Sequence, residues 1–343
     1  MQSPKVRNLL LAAACNAEYE AFSWFDGLVA FGAANLVHVW HAGAIKCLVA
    51  MCGHSGRVNN VKFLKTGEIV SACSEGKVIL WRNPHFGPGK SDELLQSEEH
   101  WDAWTEVARV QLSKKNITQF SMMELEAVTY AAFLTTESDL HLARIDVVNN
   151  SIVVLDRLIF GNNLLESSVL FQFKGVNYMF VSGSDFMVHA YSFDSLVKPA
   201  ENMNGESFKF LNSLKGHEDK VKCLAATVCQ SGTEEVALVA SGSKDSFIKV
   251  WRMTEKLSEK VQSEYIKKNI YKIGGHFCHL ESNLAGHNDA VSSVQWGYLA
   301  KEETPQEESL VLLTSSLDFS LQLWQREAQS KVAKYSSDLD ERG

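Results

Sequence analysis

GHSGRVNNVKFLKTGEIVSACSEGKVILW, Gly53 to Trp81, holds the pattern that decides the fold. Gly53-His54 opens it, Ser71 and Glu75 stand near its end, and Trp81 closes it. The same order recurs from Gly216-His217 to LVASGSKDSFIKVW, closing at Trp251, and from Gly286-His287 to LVLLTSSLDFSLQLW, closing at Trp324. In each copy an acid (Glu75, Asp245, Asp318) lies six residues before the Trp, and a hydroxyl (Ser71, Ser241, Thr314) lies four residues before the acid.

Repeats of this size, with Gly-His in front and Trp behind, predict an all-β, WD40-type β-propeller. Each blade is a four-stranded sheet whose strands alternate apolar and polar residues. Residues 246 to 251 fit: Phe247 and Lys249 fall on one face, Ile248 and Val250 on the other. The repeated polar residues are expected to form one network per blade, buried and close to neutral. In it the turn acid accepts from the His, the His meets the hydroxyl, and the hydroxyl meets the indole N–H. His54, His217 and His287 are therefore read as structural rather than as bases or ligands. The same types occur in a Ser-His-Asp triad, but a triad is built once per enzyme, whereas this set is built once per blade.

Three further segments fit with parts missing. LVAFGAANLVHVW (Leu28 to Trp40) has Ala34 where the acid belongs. MFVSGSDFMVHAY (Met179 to Tyr191) keeps Ser182 and Asp185 but closes on Tyr191. TTESDLHLARID (Thr135 to Asp146) matches least. None has a Gly-His pair upstream, and no closing aromatic is followed by Asp. About six blades result, over 20–41, 44–84, 104–146, 152–195, 206–253 and 273–326, in a single domain of residues 1–326. Either six blades close the ring, with residues 6–15 as an outer strand, or a seventh is missing. The polar tail 327–343 reads as disordered.

The chain has 343 residues, 45% hydrophobic and 22% charged, with a net charge of −8. This is an ordinary globular composition without the basic footprint of a nucleic-acid binder. Seven cysteines (Cys15, Cys47, Cys52, Cys73, Cys223, Cys229, Cys278) contain no C-x-x-C pair and point to a reducing compartment. KVRNLLLAAAC, ending at Cys15, has the outline of a short secretion signal, but a buried first strand is the preferred reading.

Two inserts interrupt the pattern. Arg82 to Trp104 carries Trp101 and Trp104 and reads as an inter-blade loop, with a docking loop as the alternative. Arg252 to Lys272 carries Lys256, Lys260, Lys267, Lys268 and Lys272 beside Tyr265 and Tyr271. It reads as a solvated loop balanced by Glu255, Glu259 and Glu264, the alternative being a partner or RNA contact. His276, Cys278 and His279 fit no standard zinc spacing. No catalytic, cofactor-binding or metal-ligating residue is predicted, and the expected answer to enzyme or not is not.

Several segments resemble the N-terminal propeller of the Elongator complex subunit 2 family. They are LVAFGAANLVHVW, LDRLIFGNNLL (Leu155 to Leu165), KGHEDKVKCLA (Lys215 to Ala225), the charged insert after Trp251 followed by LAGHNDAVSSVQW, and LLTSSLDFSLQLW. The resemblance implies a fragment or shortened relative of a protein with two seven-bladed propellers. It also implies a non-catalytic scaffold that docks on the large and catalytic subunits of a complex that modifies the wobble uridine of transfer RNA. Weak or indirect tRNA contact and a cytoplasmic, also nuclear, location follow from it, and no cofactor, metal or membrane is implied. The competing expectation is an unrelated adaptor, such as a ubiquitin-ligase substrate receptor. Those usually carry Trp-Asp-x-Arg, whereas here Arg82 and Arg252 follow the Trp directly.

Overall fold

The computed structural model describes residues 21–94, 97–125, 128–194, 205–232, 234–257, 269–300, 308–326 and 335–337. The strands β1 (Phe22–Phe25), β2 (Leu28–Ala33), β3 (Leu36–His41) and β4 (Lys46–Cys52) form a first sheet in that order. β5 (Val58–Phe63), β6 (Ile69–Cys73), β7 (Lys77–Arg82) and β8 (Thr105–Gln111) form the second, with the one-turn helices α1 (Ser91–Leu94) and α2 (Glu98–Trp101) between its last two strands. The third comprises β9 (Ile117–Leu125), β10 (Val128–Thr135), β11 (Asp139–Asp146) and β12 (Ser151–Ile159), and the fourth β13 (Leu165–Phe173), β14 (Val176–Gly183), β15 (Val188–Phe193) and β16 (Phe208–Leu214). The fifth has five strands: β17 (Val221–Ser231), β18 (Glu234–Ser243), β19 (Phe247–Thr254), β20 (Ile270–Ile273) and β21 (His276–Ala285), with β21 between β19 and β20. The sixth holds β22 (Val291–Ala300), β23 (Glu308–Ser316), β24 (Leu321–Arg326) and β25 (Tyr335–Ser337). These six sheets are the blades of a WD40-type β-propeller.

The sheets are offset by one strand from the spans expected from the repeat. The closing aromatic ends a third strand, and the next strand returns antiparallel beside it, as β8 does along β7 and β21 along β19. Trp104 and the residues after it therefore complete the second sheet rather than begin the third. A short antiparallel return satisfies the backbone of the third strand locally, while the loop bearing Gly-His crosses to the next sheet. Tyr335–Ser337 pairs with β24, so those three residues of the tail are ordered, contrary to the expectation of disorder. The rest of the tail and the proposed strand at 6–15 lie outside the described residues.

A conformational signature marks every blade. The turn joining its second and third strands holds one residue with positive φ: Ala34, Gly76, Ser138, Phe186, Ser246 or Phe319. Only Gly76 adopts this conformation without strain; the other side chains each cost roughly 1–2 kcal/mol.

The chain divides into two compact units, 1–119 with 124–129 and 144–154, and 120–123 with 130–143 and 155–343. In the first unit Leu28, Ala30, Val37 and Val39 pack with Val58, Ile69, Ile79 and Trp81. The insert after Trp81 joins this core: Phe86 lies against Phe25, Phe63 and Trp104, and Asp26 accepts from the Lys90 and Ser91 amides at 3.0 and 3.2 Å. In the second unit Ile248 and Val250 face Leu284, Val291 and Val294, whereas Trp251 and Met253 face Tyr178, Phe180 and Val188. Burying each such side chain contributes roughly 1.5–3 kcal/mol. The other face of the sixth sheet is different. Leu313 and Leu321 lie on it in solvent, beside a fully exposed Phe319.

Candidate functional site

The residues singled out by the repeat meet in three places. In the fifth sheet the Trp251 indole donates to Ser241 Oγ at 2.9 Å, Ser241 lies 2.9 Å from His217 Nε2, and His217 Nδ1 lies 2.8 Å from Asp245. In the sixth, Trp324 donates to Thr314 at 2.9 Å, Thr314 meets His287 Nε2 at 2.8 Å, and His287 Nδ1 faces Asp318 at 3.3 Å. An indole nitrogen only donates, so the hydroxyl accepts from it and donates its own hydrogen bond to Nε2. Nδ1 then carries the hydrogen that faces the carboxylate.

The acids of both networks are held in their ionised form. Burial pushes Asp245 up, but His217 and the Glu218 and Phe247 amides outweigh it and hold the carboxyl at about 2. Hydrogen bonds from Ser320 and the Asn288 amide hold Asp318 well below the ordinary carboxylate range. Each acid therefore stays ionised within a ring of donors.

The second sheet completes only part of the set. Trp81 donates to Ser71 at 2.8 Å, and Ser71 meets His54 Nε2 at 2.7 Å. Glu75 does not reach His54; it accepts from Ser55 at 2.5 Å, and His54 Nδ1 has no hydrogen-bond partner among the described residues. The glutamate is one methylene longer than the aspartates of the other two blades, and Ser55 takes its carboxylate. Burial, with Lys77 and Arg109 nearby, lowers His54 to about 4.

The weaker blades depart by register. In the three copies that open on Gly-His the hydroxyl and the indole lie five residues before and five after the positive-φ residue. Counted from Ser138, those slots hold Phe133 and Ala143. Counted from Phe186, they hold Val181 and Tyr191, and Val181 pairs with His189 as Ser241 pairs with Lys249. Ser182 thus stands outside the slot expected of it and donates to Val221 O at 3.2 Å. The third sheet carries a polar cluster that the sequence reading missed. Thr135 and Arg157 both donate to the buried Asp139, with Arg157 Nε at 2.6 Å. Burial raises Asp139, but His141, Thr135 and Arg157 together bring it to about 2. The Thr-x-x-x-Asp spacing was visible, but the guanidinium comes from the following strand.

The inserts are used internally where they are described. Trp101 and Trp104 are buried, Trp101 donates to Leu94 O, and Lys46 Nζ sits 3.7 Å from the Trp101 ring centre. A docking role through exposed Trp side chains is thereby excluded. Of the lysine-rich insert, Lys256, Tyr271 and Lys272 are described; Lys260, Tyr265, Lys267 and Lys268 lie outside the described residues. Tyr271 belongs to β20 and binds the Lys215 amide and carbonyl, both at 3.1 Å. Lys256 and Lys272 are exposed. His276 bonds Tyr178 at 2.6 Å and Cys278 is buried on the same face of β21, whereas His279 alternates to the other. Among the described residues no three His, Cys, Asp or Glu side chains converge as a metal site would require. Arg82 and Arg252 are engaged by Glu68 at 3.0 Å and Glu281 at 3.3 Å.

The WD domain, G-beta repeat family profile matches residues 45–82 and 208–252. The chain is similar to Elongator complex protein 2 of Drosophila melanogaster, at 25% identity over 93% of this chain and 40% of the relative. It is similar to that of Danio rerio, at 25% over 96% and 38%, and of Schizosaccharomyces pombe, at 28% over 94% and 39%. The chain thus spans about two-fifths of the length of these curated relatives.

Proposed function

We propose that this chain is a non-catalytic WD-repeat scaffold of the Elongator complex. On this reading it supports carboxymethyl-type modification of the tRNA wobble uridine by holding other subunits, the large scaffold subunit and the catalytic subunit, in place. The observation that carries the reading is likeness to Elongator complex protein 2 from insect, fish and fission yeast along more than nine-tenths of the chain. The geometry supports it, because the repeated His, Ser or Thr, Asp and Trp are tied to one another inside the blades. Direct tRNA contact is weak or indirect on this reading, and the protein works in the cytoplasm with a nuclear share. No helix among the described residues is long and apolar enough to cross a membrane.

Affinity purification of the tagged chain followed by mass spectrometry tests the assignment. Recovery of the large and catalytic Elongator subunits is expected. Recovery without either, or with a cullin adaptor in their place, refutes it. The tRNA arm is tested by charge reversal at Lys267 and Lys268. A real contact loses affinity and has a shallower salt dependence after reversal; unchanged binding removes those lysines from the surface.

A further inference from the structure

The fourth sheet leaves open what the fifth and sixth sheets close. In those two, the loop bearing Gly-His folds over the turn acid, so that Asp245 and Asp318 side chains are only 8% and 12% exposed. The loop ahead of β13 reads Phe160-Gly-Asn-Asn-Leu164 and has no such pair. Asp185, at the matching turn, is 31% exposed and takes its imidazole from its own strand, with His189 Nε2 at 2.6 Å. The other ring nitrogen, Nδ1, meets Ser213 Oγ at 2.8 Å, so the imidazole is held from both sides.

Aromatic side chains flank the imidazole that binds this carboxylate. Phe160 and Phe210 flank the His189 ring at 6.5 and 6.4 Å and the Tyr191 ring at 5.8 and 5.4 Å. Leu164 is bound through its amide and its carbonyl by Ser184, the residue before the acid, and Phe186 follows the acid in the chain. Leu164, Phe186 and Phe210 are 53%, 41% and 54% exposed. A carboxylate accepts up to about four hydrogen bonds. A partly exposed one, whose bound imidazole lies beside two aromatic rings, suits a cationic head on an apolar stem.

We propose that Asp185, His189, Phe160 and Phe210 form a docking site for an arginine or lysine side chain, carried with apolar neighbours on a segment of a partner protein. The charged head meets Asp185, where a guanidinium can engage both carboxylate oxygens. The stem lies along Phe160 and Phe210, and the flanking apolar residues cover Leu164 and Phe186. An acidic segment or a nucleic-acid phosphate is repelled by the same carboxylate. The site rests on the reading of this fold as a scaffold, but it does not depend on which complex the scaffold serves.

The test titrates the full chain with acetylated, amidated tripeptides Leu-Arg-Leu, Leu-citrulline-Leu and Leu-Glu-Leu, following the histidine ring resonances by NMR. The arginine peptide is expected to shift the His189 signals in a saturable way and the glutamate peptide to leave them unmoved. Citrulline, which keeps the shape without the charge, is expected to bind at least tenfold more weakly. Asp185→Asn should weaken the arginine peptide about tenfold. Phe210→Ala, at an exposed position that the core does not need, should weaken it several-fold with an unchanged circular dichroism spectrum. Equal response to the arginine and glutamate peptides, no response to any of them, or undiminished binding by Asp185→Asn and Phe210→Ala overturns the proposal. None of these outcomes alters recovery of Elongator subunits in the purification above, so the two readings fall separately.

Discussion

Ser241 and Thr314 each stand between an indole that must donate and an imidazole that needs a proton donor. Ser241→Ala or Thr314→Val strands both neighbours in a buried place, and each should lower unfolding free energy by roughly 1–3 kcal/mol in urea titrations. Trp251→Ala removes a large buried ring as well and should lose roughly 3–5 kcal/mol. Glu75 is the position where the set fails, and Glu75→Asp tests why. The shorter acid should release Ser55 and accept from His54 Nδ1, raising the His54 pKa and adding about 1 kcal/mol. In the protein as it stands, His54 titrates at about 4, below its ordinary 6.5. The unfolded chain therefore binds the extra proton first. Stability from this group is complete above pH 6.5 and is lost as pH falls toward 4, by as much as about 3 kcal/mol. Asp245, lowered from 3.8 to about 2, contributes above pH 4 and loses its share only below that. Acid denaturation of the first unit should begin near pH 6, and Glu75→Asp should delay it; an unchanged acid limb would show that His54 does not govern it.

At the scale of the element, the turn between second and third strands sets the register of each blade. Its left-handed residue is Gly only at position 76. Ser246→Gly relieves the strain at the same turn without touching the network and should gain roughly 0.5–1 kcal/mol in thermal unfolding. Gly76→Ala should lose at least that much, since an added Cβ would also run into the Ser113 carbonyl. This turn also explains what could be read from sequence and what could not. Where it has the common length, as around Asp245 and Asp318, constant spacing announced the partners. Between β14 and β15 it is one residue shorter relative to Ser182, so a serine and an acid of the right types sit on different faces. Spacing alone cannot reveal that slip, because one residue inverts the side of the strand. The exchange of a fourth strand between neighbouring spans was hidden for a related reason: pairing partners are chosen across a turn, while the repeat is counted along the chain. Trp101 and Trp104 could be located but not placed, since their burial depends on Leu94 and Phe86 folding back onto β1 and β5.

Across the described residues the polar repeats are tied to one another inside the blades, and the proposed docking site lies where the repeat lapses. The carboxylate of Asp185, bound to His189, is one such position, and the apolar face of the sixth sheet, exposed among the described residues, is another. That second lapse bears on anyone who purifies the chain by itself. Leu313, Leu321 and Phe319 present oily surface that water cannot wet favourably. The isolated protein should light up an apolar dye, sediment faster as concentration rises, and bind an apolar column more tightly as salt is raised. Leu321→Lys combined with Phe319→Ser should cure all three without moving the melting temperature downward, because both side chains stand outside the packed interior. If the doubly changed protein still clusters, the stickiness lies elsewhere on its surface.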